Sequence, residues 1–165
     1  MRKIFFILFS VALTGKLSAQ KIVPLVYKDK KYEVLDLSSK GKMMWGGYEK
    51  ISGRGAASES DGQANTEAIV GAVGDNTGYD GKPYAARICR EARAGNKEDW
   101  YLPSKEESDI VYAFKDKFNV EERASIWTST EINGTQAVSK YWYTGAFYNV
   151  QKVDLCVLVC IRKVE

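Results

Sequence analysis

The residue types that most often carry out catalysis are sparse in this chain. Histidine is absent from all 165 residues, which excludes Ser-His-Asp and Cys-His nucleophile systems, His-ligated zinc and imidazole pH switches. Acid–base chemistry would fall to carboxylates, tyrosines or lysines, but the spacing gives no paired carboxylates, metal-ligand cluster or activated nucleophile. We therefore expect a non-catalytic protein with no cofactor and no bound metal.

Three cysteines are the remaining reactive side chains: Cys89, Cys156 and Cys160. The last two fall in one apolar run that predicts a strand, in which four residues span about 13 Å. A disulfide needs Cα atoms within about 7 Å, so these two should not bond to each other. At most one bridge is expected, from Cys89 to either of them. Three buried thiols without a bridge are the alternative.

The polar, glycine-rich region 51–81 contains oxygen ligands of the kind that calcium binds: Asp61, Asp75, Asn76 and Asp80. Their spacing does not match an EF-hand loop. The glycines match neither GxGxxG nor GxxxxGK[ST], so a phosphate loop is not indicated. Structural turn residues are the favoured interpretation of this region.

Aromatic side chains are the better candidates for a functional surface. Five lie within residues 141–148: Tyr141, Trp142, Tyr143, Phe147 and Tyr148. Alternate residues of a strand face opposite sides, so Tyr141 and Tyr143 share one side and Trp142 faces the other. One side must be core, and the other would display rings that stack on sugars or anchor a protein partner. The predicted ligand-binding set is Tyr141, Trp142, Tyr143, Tyr148, Asn149, Glu131 and Asn133; sheet packing of the rings on both sides is the alternative.

The segment 99–118 is expected to organise the elements that position these rings. Ser104 followed by Glu107 forms a capping box and predicts the start of a helix. The apolar stripe of that helix consists of Ile110, Val111, Phe114 and Phe118. Trp100 and Leu102, just upstream, predict a buried strand or turn joined directly to the helix.

The other elements follow from periodicity and turn residues. A second helix is predicted at residues 84–94, opened by Pro83 and ended by Gly95, with a brief helical run at 66–73. Strands are predicted at 21–37 (a hairpin), 42–48, 125–131, 140–150 and 154–164, with a tight turn at Asn133 and Gly134. The last strand is apolar on both faces and should be interior. The expected fold class is α+β, with two main helices packed on a compact, curved antiparallel sheet beside a long loop region.

The first nineteen residues predict a secretory signal peptide. Arg2 and Lys3 precede a short apolar run at 4–13, and small residues at 17–19 suit cleavage. The run is shorter than the roughly 20 residues of a membrane span. We therefore expect a single domain at residues 20–165, secreted to the periplasm or cell surface and not inserted in a membrane.

Removal of that segment also changes the charge. The full chain carries 24 Lys+Arg and 21 Asp+Glu, and the signal peptide takes away three cations, Arg2, Lys3 and Lys16. The mature chain is then formally neutral, so the basic pI gives no support for a nucleic-acid partner.

Several of these segments together resemble a known family. In chain order they are DGQANT, a helix carrying Cys89, WYLPS with Glu107, WTSTE, YWY and VCIRKV. The chain is similar over residues 21–164 to the C-terminal domain of Legionella collagen-like adhesins, a family that includes many short secreted proteins. The resemblance implies a C-type-lectin-like fold and a non-catalytic binding module that recognises a glycan or a cell-surface protein. A structural cell-surface or fimbrial component is an alternative.

The resemblance also bears on the mode of binding. The chain lacks the Glu-Pro-Asn, Gln-Pro-Asp and Trp-Asn-Asp triplets of calcium-dependent sugar lectins, so calcium-mediated chelation of a sugar is not expected. The neutral charge does not favour a sulfated glycan. Lectin-like folds also include formylglycine-generating oxidases, which use a cysteine pair, but Cys156 and Cys160 are expected to point into the core, too far apart to exchange a disulfide.

Overall fold

The computed structural model describes residues 21–50, 52, 56–74 and 80–165. These residues form an α+β fold with eight strands and three α-helices. The strands are β1 (Lys21–Tyr27), β2 (Lys30–Asp36), β3 (Lys42–Met43), β4 (Ser125–Glu131), β5 (Gln136–Tyr141), β6 (Phe147–Gln151), β7 (Cys156–Val157) and β8 (Val159–Val164). The helices are α1 (Gly62–Val73), α2 (Ala85–Glu91) and α3 (Lys105–Ala113). The expected signal peptide lies outside the described residues, as do Asp75 and Asn76.

The strands form two sheets, where the sequence predicts one. The three-stranded sheet has the order β1-β2-β8, with Lys21 opposite Asp36 and Lys31 opposite Val164. The five-stranded sheet has the order β3-β7-β4-β5-β6. All pairs are antiparallel except β4 and β7, which are parallel where Ile126 meets Val157. The predicted antiparallel pairing is therefore present in every strand pair of the described residues except β4–β7, but the predicted single sheet is divided in two.

The last apolar segment connects the two sheets. It is predicted as one interior strand, but the chain passes at Leu158 from β7, inside the five-stranded sheet, to β8, at the edge of the other. The segment is apolar on both faces because it lies between two hydrophobic clusters. Val157, Val159 and Ile161 face one cluster, and Cys156, Leu158 and Cys160 face the other, as the alternation predicts. Leu155, expected on the first face, is exposed because it precedes the strand.

The segments that carry Trp45, Trp100 and Trp127 lie in the core. Trp100, Leu102 and Trp127 are fully buried, which confirms the burial predicted for Trp100 and Leu102. The indole N–H of Trp127 donates to the Met43 carbonyl at 2.7 Å, and that of Trp45 donates to the Thr128 carbonyl at 2.8 Å. These reciprocal bonds connect the β3 region to β4 and satisfy two buried donors.

The helices differ from the predicted ones in number and length. The Ser104–Glu107 capping box is present, but α3 ends at Ala113 and is followed by a short 3-10 turn at Lys115–Lys117. α1 is predicted only as a brief helical run at 66–73, but it begins at Gly62, where the Asp61 carboxylate accepts from the Ala64 N–H, and it is the longest of the three helices. α2 ends at Glu91, before Gly95, which lies instead in a tight turn closed by hydrogen bonds between Ala94 and Lys97.

Glu107 connects two helix N-termini. Its Oε2 accepts hydrogen bonds from the backbone N–H groups of Ser104 and Gly62, each at 3.0 Å, and its Oε1 accepts from the Tyr101 hydroxyl at 2.9 Å. Burial, reinforced by the Glu107 charge, raises the pKa of Tyr101. A Cβ at Gly62 would lie 2.4 Å from Oε2, so only glycine allows this approach. The sequence indicates the cap but not the contact with α1.

One disulfide joins a helix to a sheet. Cys89 of α2 is bonded to Cys160 of β8, with a Cα–Cα distance of 5.4 Å, and Cys156 is a buried free thiol. This is one of the two bridges that the sequence leaves open. No helix in the described parts of the chain combines the length and apolarity needed to cross a bilayer.

Candidate ligand-binding surface

Three tyrosine rings meet at the turn between β5 and β6. We call this set, Tyr141, Tyr143 and Tyr148, the tyrosine surface. The Tyr141 ring centroid lies 6.4 Å from that of Tyr143 and 6.1 Å from that of Tyr148, with the rings edge to face. The exposed fraction is 56% for Tyr143 and 52% for Tyr148.

The register of the hairpin brings these rings together. Ser139 lies opposite Tyr148, so Tyr141 and Tyr148 are diagonal neighbours on one face of the sheet. Farther from the turn, the core covers the same face at Ala137 and Val150. The face becomes open toward the turn, where the tyrosines lie.

The turn at residues 142–146 is held by the packing of Tyr112 from α3. A Cβ at Gly145 would lie 2.5 Å from the Tyr112 ring, and Gly145 has a φ of +75°, so both space and backbone conformation require glycine. The Tyr112 hydroxyl donates to the Tyr143 carbonyl at 3.3 Å. These contacts fix the backbone that carries the tyrosine surface.

Lys140 supports the hairpin from the opposite face. Its buried ammonium donates to Asp109 of α3 at 2.6 Å and to the Gly145 carbonyl at 2.8 Å. It also lies 3.8 Å from the Phe147 ring centroid, a cation–π contact. Sequence reasoning missed this residue; the one signal for its burial is that Lys140 shares a face with Val138.

Trp142 is a core residue. It is 4% exposed and packs edge to face against Tyr112 and Phe118, at centroid distances of 5.8 and 6.2 Å. The prediction of one strand at 140–150 is wrong: β5 ends at Tyr141, and Trp142 and Tyr143 lie in the turn before β6. The turn directs the Trp142 ring into the core and leaves Tyr143 exposed. Burial removes this ring from the candidate surface.

Glu131 is buried as half of an ion pair. Its carboxylate lies 2.5 Å from the Lys152 ammonium and accepts from the Ser52 N–H at 3.0 Å. The ammonium also donates to the Lys50 carbonyl at 2.7 Å. Burial lowers the pKa of Lys152, and the Glu131 hydrogen bond and charge oppose that change. These contacts use Glu131 within the fold, away from solvent.

The two asparagines of the predicted set are exposed but do not adjoin the tyrosine surface. Asn133 lies in the β4–β5 turn, at the other end of β5, where its side chain accepts from the N–H groups of Thr135 and Gln136 at 2.9 Å. Asn149 follows Tyr148 in β6 and therefore faces the other side of the sheet. The structure thus brings together three of the seven predicted site residues.

A separate surface cleft of about 430 Å³ lies beside Trp100. Its two arginines pair with acidic residues of the same lining, Arg90 with Glu67 and Arg93 with Glu98, and Asp99 pairs with Arg162. Each charge already has a partner within the fold, so the cleft is a weaker candidate. Of the potential calcium ligands, Asp61 caps α1, and Asp80 accepts from the Lys82 N–H at 3.1 Å.

The cysteines give no support to the oxidase alternative, because Cys160 is already bonded to Cys89. Burial, with a smaller contribution from Asp154, raises the pKa of the Cys156 thiol to about 12, and a protonated thiol is a poor nucleophile. We expect no reaction of the native chain with a thiol reagent at pH 8. Unfolding without reductant should expose one thiol per chain, and a count of three would contradict the bridge.

Comparison with protein families and with curated proteins finds no match for this chain. The described residues form an α+β fold in which a hairpin, supported by α3, displays a cluster of tyrosines.

Proposed function

We propose that this chain is a secreted, non-catalytic binding module of C-type-lectin-like architecture that recognises a glycan through the tyrosine surface. The proposal rests on the clustering of three tyrosine rings, two of them more than half exposed, on a hairpin whose other face is held to α3 by the buried Lys140. The family resemblance in the sequence supports the lectin-like assignment, and the bridge between Cys89 and Cys160 supports an oxidising compartment.

The chemistry of the surface suits a neutral sugar. Tyrosine faces stack on the C–H groups of a sugar ring, and phenol hydroxyls exchange hydrogen bonds with its hydroxyls. The ammonium of Lys140, on the opposite face of the hairpin, is buried and bonded to Asp109, so it is not available to a sulfate. Because Gly145 and Tyr112 fix the turn, little conformational entropy is lost on binding.

A glycan array with the purified mature protein tests this function. We expect binding that does not depend on calcium, and Tyr143→Ala should weaken it about tenfold, the effect of losing one stacked ring. Tyr143→Phe should retain most of the affinity, because it keeps the ring.

Asn133→Ala is the matched control, since Asn133 is also exposed but lies at the other end of β5. Trp142→Ala is unsuitable as a test because Trp142 is a core residue. The absence of glycan binding in every buffer would contradict the proposal.

A protein-binding role at the cell surface is the second candidate. One observation favours it: β6 ends the five-stranded sheet and leaves a strand edge without a partner in the described residues. Under this alternative, Tyr143 and Tyr148 would be anchors in a protein interface.

A further inference from the structure

The open edge of β6 lacks the features that usually protect a strand edge. Its sequence, FYNVQ, contains no charge and no proline. By contrast β1, at the edge of the other sheet, carries Lys21 and Pro24. Natural sheets use lysine and proline at edges to prevent pairing with another chain, so β1 is protected and β6 is not.

The hydrogen bonds at the two ends of the hairpin fix which β6 groups point outward. Tyr141 N–H donates to the Ala146 carbonyl, and Lys152 N–H donates to the Thr135 carbonyl. Backbone groups in an antiparallel ladder alternate between the two sides of a strand. The even-numbered residues of β6 therefore bond to β5, and the backbone groups of Phe147, Asn149 and Gln151 point away from it.

Asp154 closes one end of this open edge. Its backbone N–H donates to the Gln151 carbonyl at 2.9 Å, and its carboxylate accepts from the Gln151 N–H at 3.0 Å. The outward N–H and C=O groups of Phe147 and Asn149 have no bond within the described residues. Four backbone groups thus remain to be satisfied, two donors and two acceptors.

We propose that β6 pairs antiparallel with β6 of a second copy of this chain, about a two-fold axis at Tyr148. In this register Phe147 of each copy lies opposite Asn149 of the other, and all four free groups form hydrogen bonds. A register centred on Asn149 would instead place Phe147 opposite Gln151, whose groups Asp154 already occupies. A second copy is therefore a complementary partner for this edge.

The side chains suit the same register. Tyr148 lies opposite its own copy at a non-hydrogen-bonded position, where cross-strand side chains are closest and aromatic pairs are favourable. No charged residue of β6 meets a like charge, because the strand has none. Pairing at the edge leaves the sheet faces open, so two tyrosine surfaces would join into one. The small contact area predicts a weak dimer, populated at high protein concentration.

Sedimentation velocity over a concentration series tests the interface, with Asn149→Pro as the variant. Proline removes one outward N–H from each copy and is tolerated where a strand N–H faces solvent. Loss of two hydrogen bonds per dimer should raise the dissociation constant by about tenfold or more. Asn149→Ala keeps the N–H, so it should dimerise like the parent chain.

Amide hydrogen exchange locates the contact. Protection of the Phe147 and Asn149 amides should rise with protein concentration, while the outward amides of β1 remain unchanged. A parent chain that stays monomeric at millimolar concentration would overturn the proposal, as would an Asn149→Pro variant that dimerises like the parent. Both dimerisation experiments are done without a glycan, so a negative result would overturn the dimer but not the proposed glycan binding.

Discussion

Replacing Glu131 by alanine is expected to lower the free energy of unfolding by about 3–5 kcal/mol, the usual cost of leaving a buried charge without its partner. The side chain of Lys152 is 0% exposed and that of Glu131 is 3% exposed. Alanine would leave the ammonium with only carbonyl acceptors and the Ser52 N–H without its carboxylate. Urea denaturation of the variant and the parent measures the difference.

A double variant separates two contributions to the loss of stability, the unpaired charge of Lys152 and the lost packing of the Glu131 side chain. Glu131→Gln keeps the shape of the side chain but leaves Lys152 unpaired in charge, so we expect a clear loss of stability. Adding Lys152→Met removes the orphaned ammonium and should recover part of that loss, because buried pairs are often replaceable by apolar groups. If Glu131→Ala costs less than about 1 kcal/mol, the ion pair is not desolvated as the structure has it.

Removal of the disulfide is the second large effect we expect. The Cys89–Cys160 bridge closes a loop with a sequence separation of 71. For a loop of that length the chain-entropy treatment gives about 4 kcal/mol. The Cys89→Ala/Cys160→Ala variant should therefore unfold at a much lower urea concentration than the parent.

Cys156→Ala is the control for this measurement. It removes a buried thiol of the same type but leaves the bridge intact, so its stability should still fall when reductant is added. The double variant lacking the bridge should be insensitive to reductant. A parent chain whose unfolding midpoint does not change on reduction would contradict the structural role of the bridge.

Local signals in the sequence predict much of the fold. The Ser104–Glu107 spacing specifies the start of α3, because capping involves residues within one turn. The burial of Trp100 and Trp127 follows from their size and apolar surroundings. The side to which each side chain of residues 156–161 points is also predicted, because successive residues of an extended chain face opposite ways whichever sheet they join.

Long-range partners could not be predicted in the same way. Glu131 and Lys152 are 21 residues apart, and Asp109 and Lys140 are 31 apart, so no local pattern reveals these pairs or the burial of the two lysines. A lone lysine in a strand usually indicates solvent. The change of sheet at Leu158 was missed for a related reason: a continuous apolar run shows burial but not its strand neighbours.

The register of the three-stranded sheet also determines how the domain bears a mechanical load. β1 and β8 flank β2, with Lys21 near one end of β2 and Val164 near the other. Tension applied between these two residues would act along the strands, so the interstrand hydrogen bonds would be sheared together rather than unzipped one at a time. The three-stranded sheet should therefore resist a force between Lys21 and Val164 more strongly than a force applied across its strands.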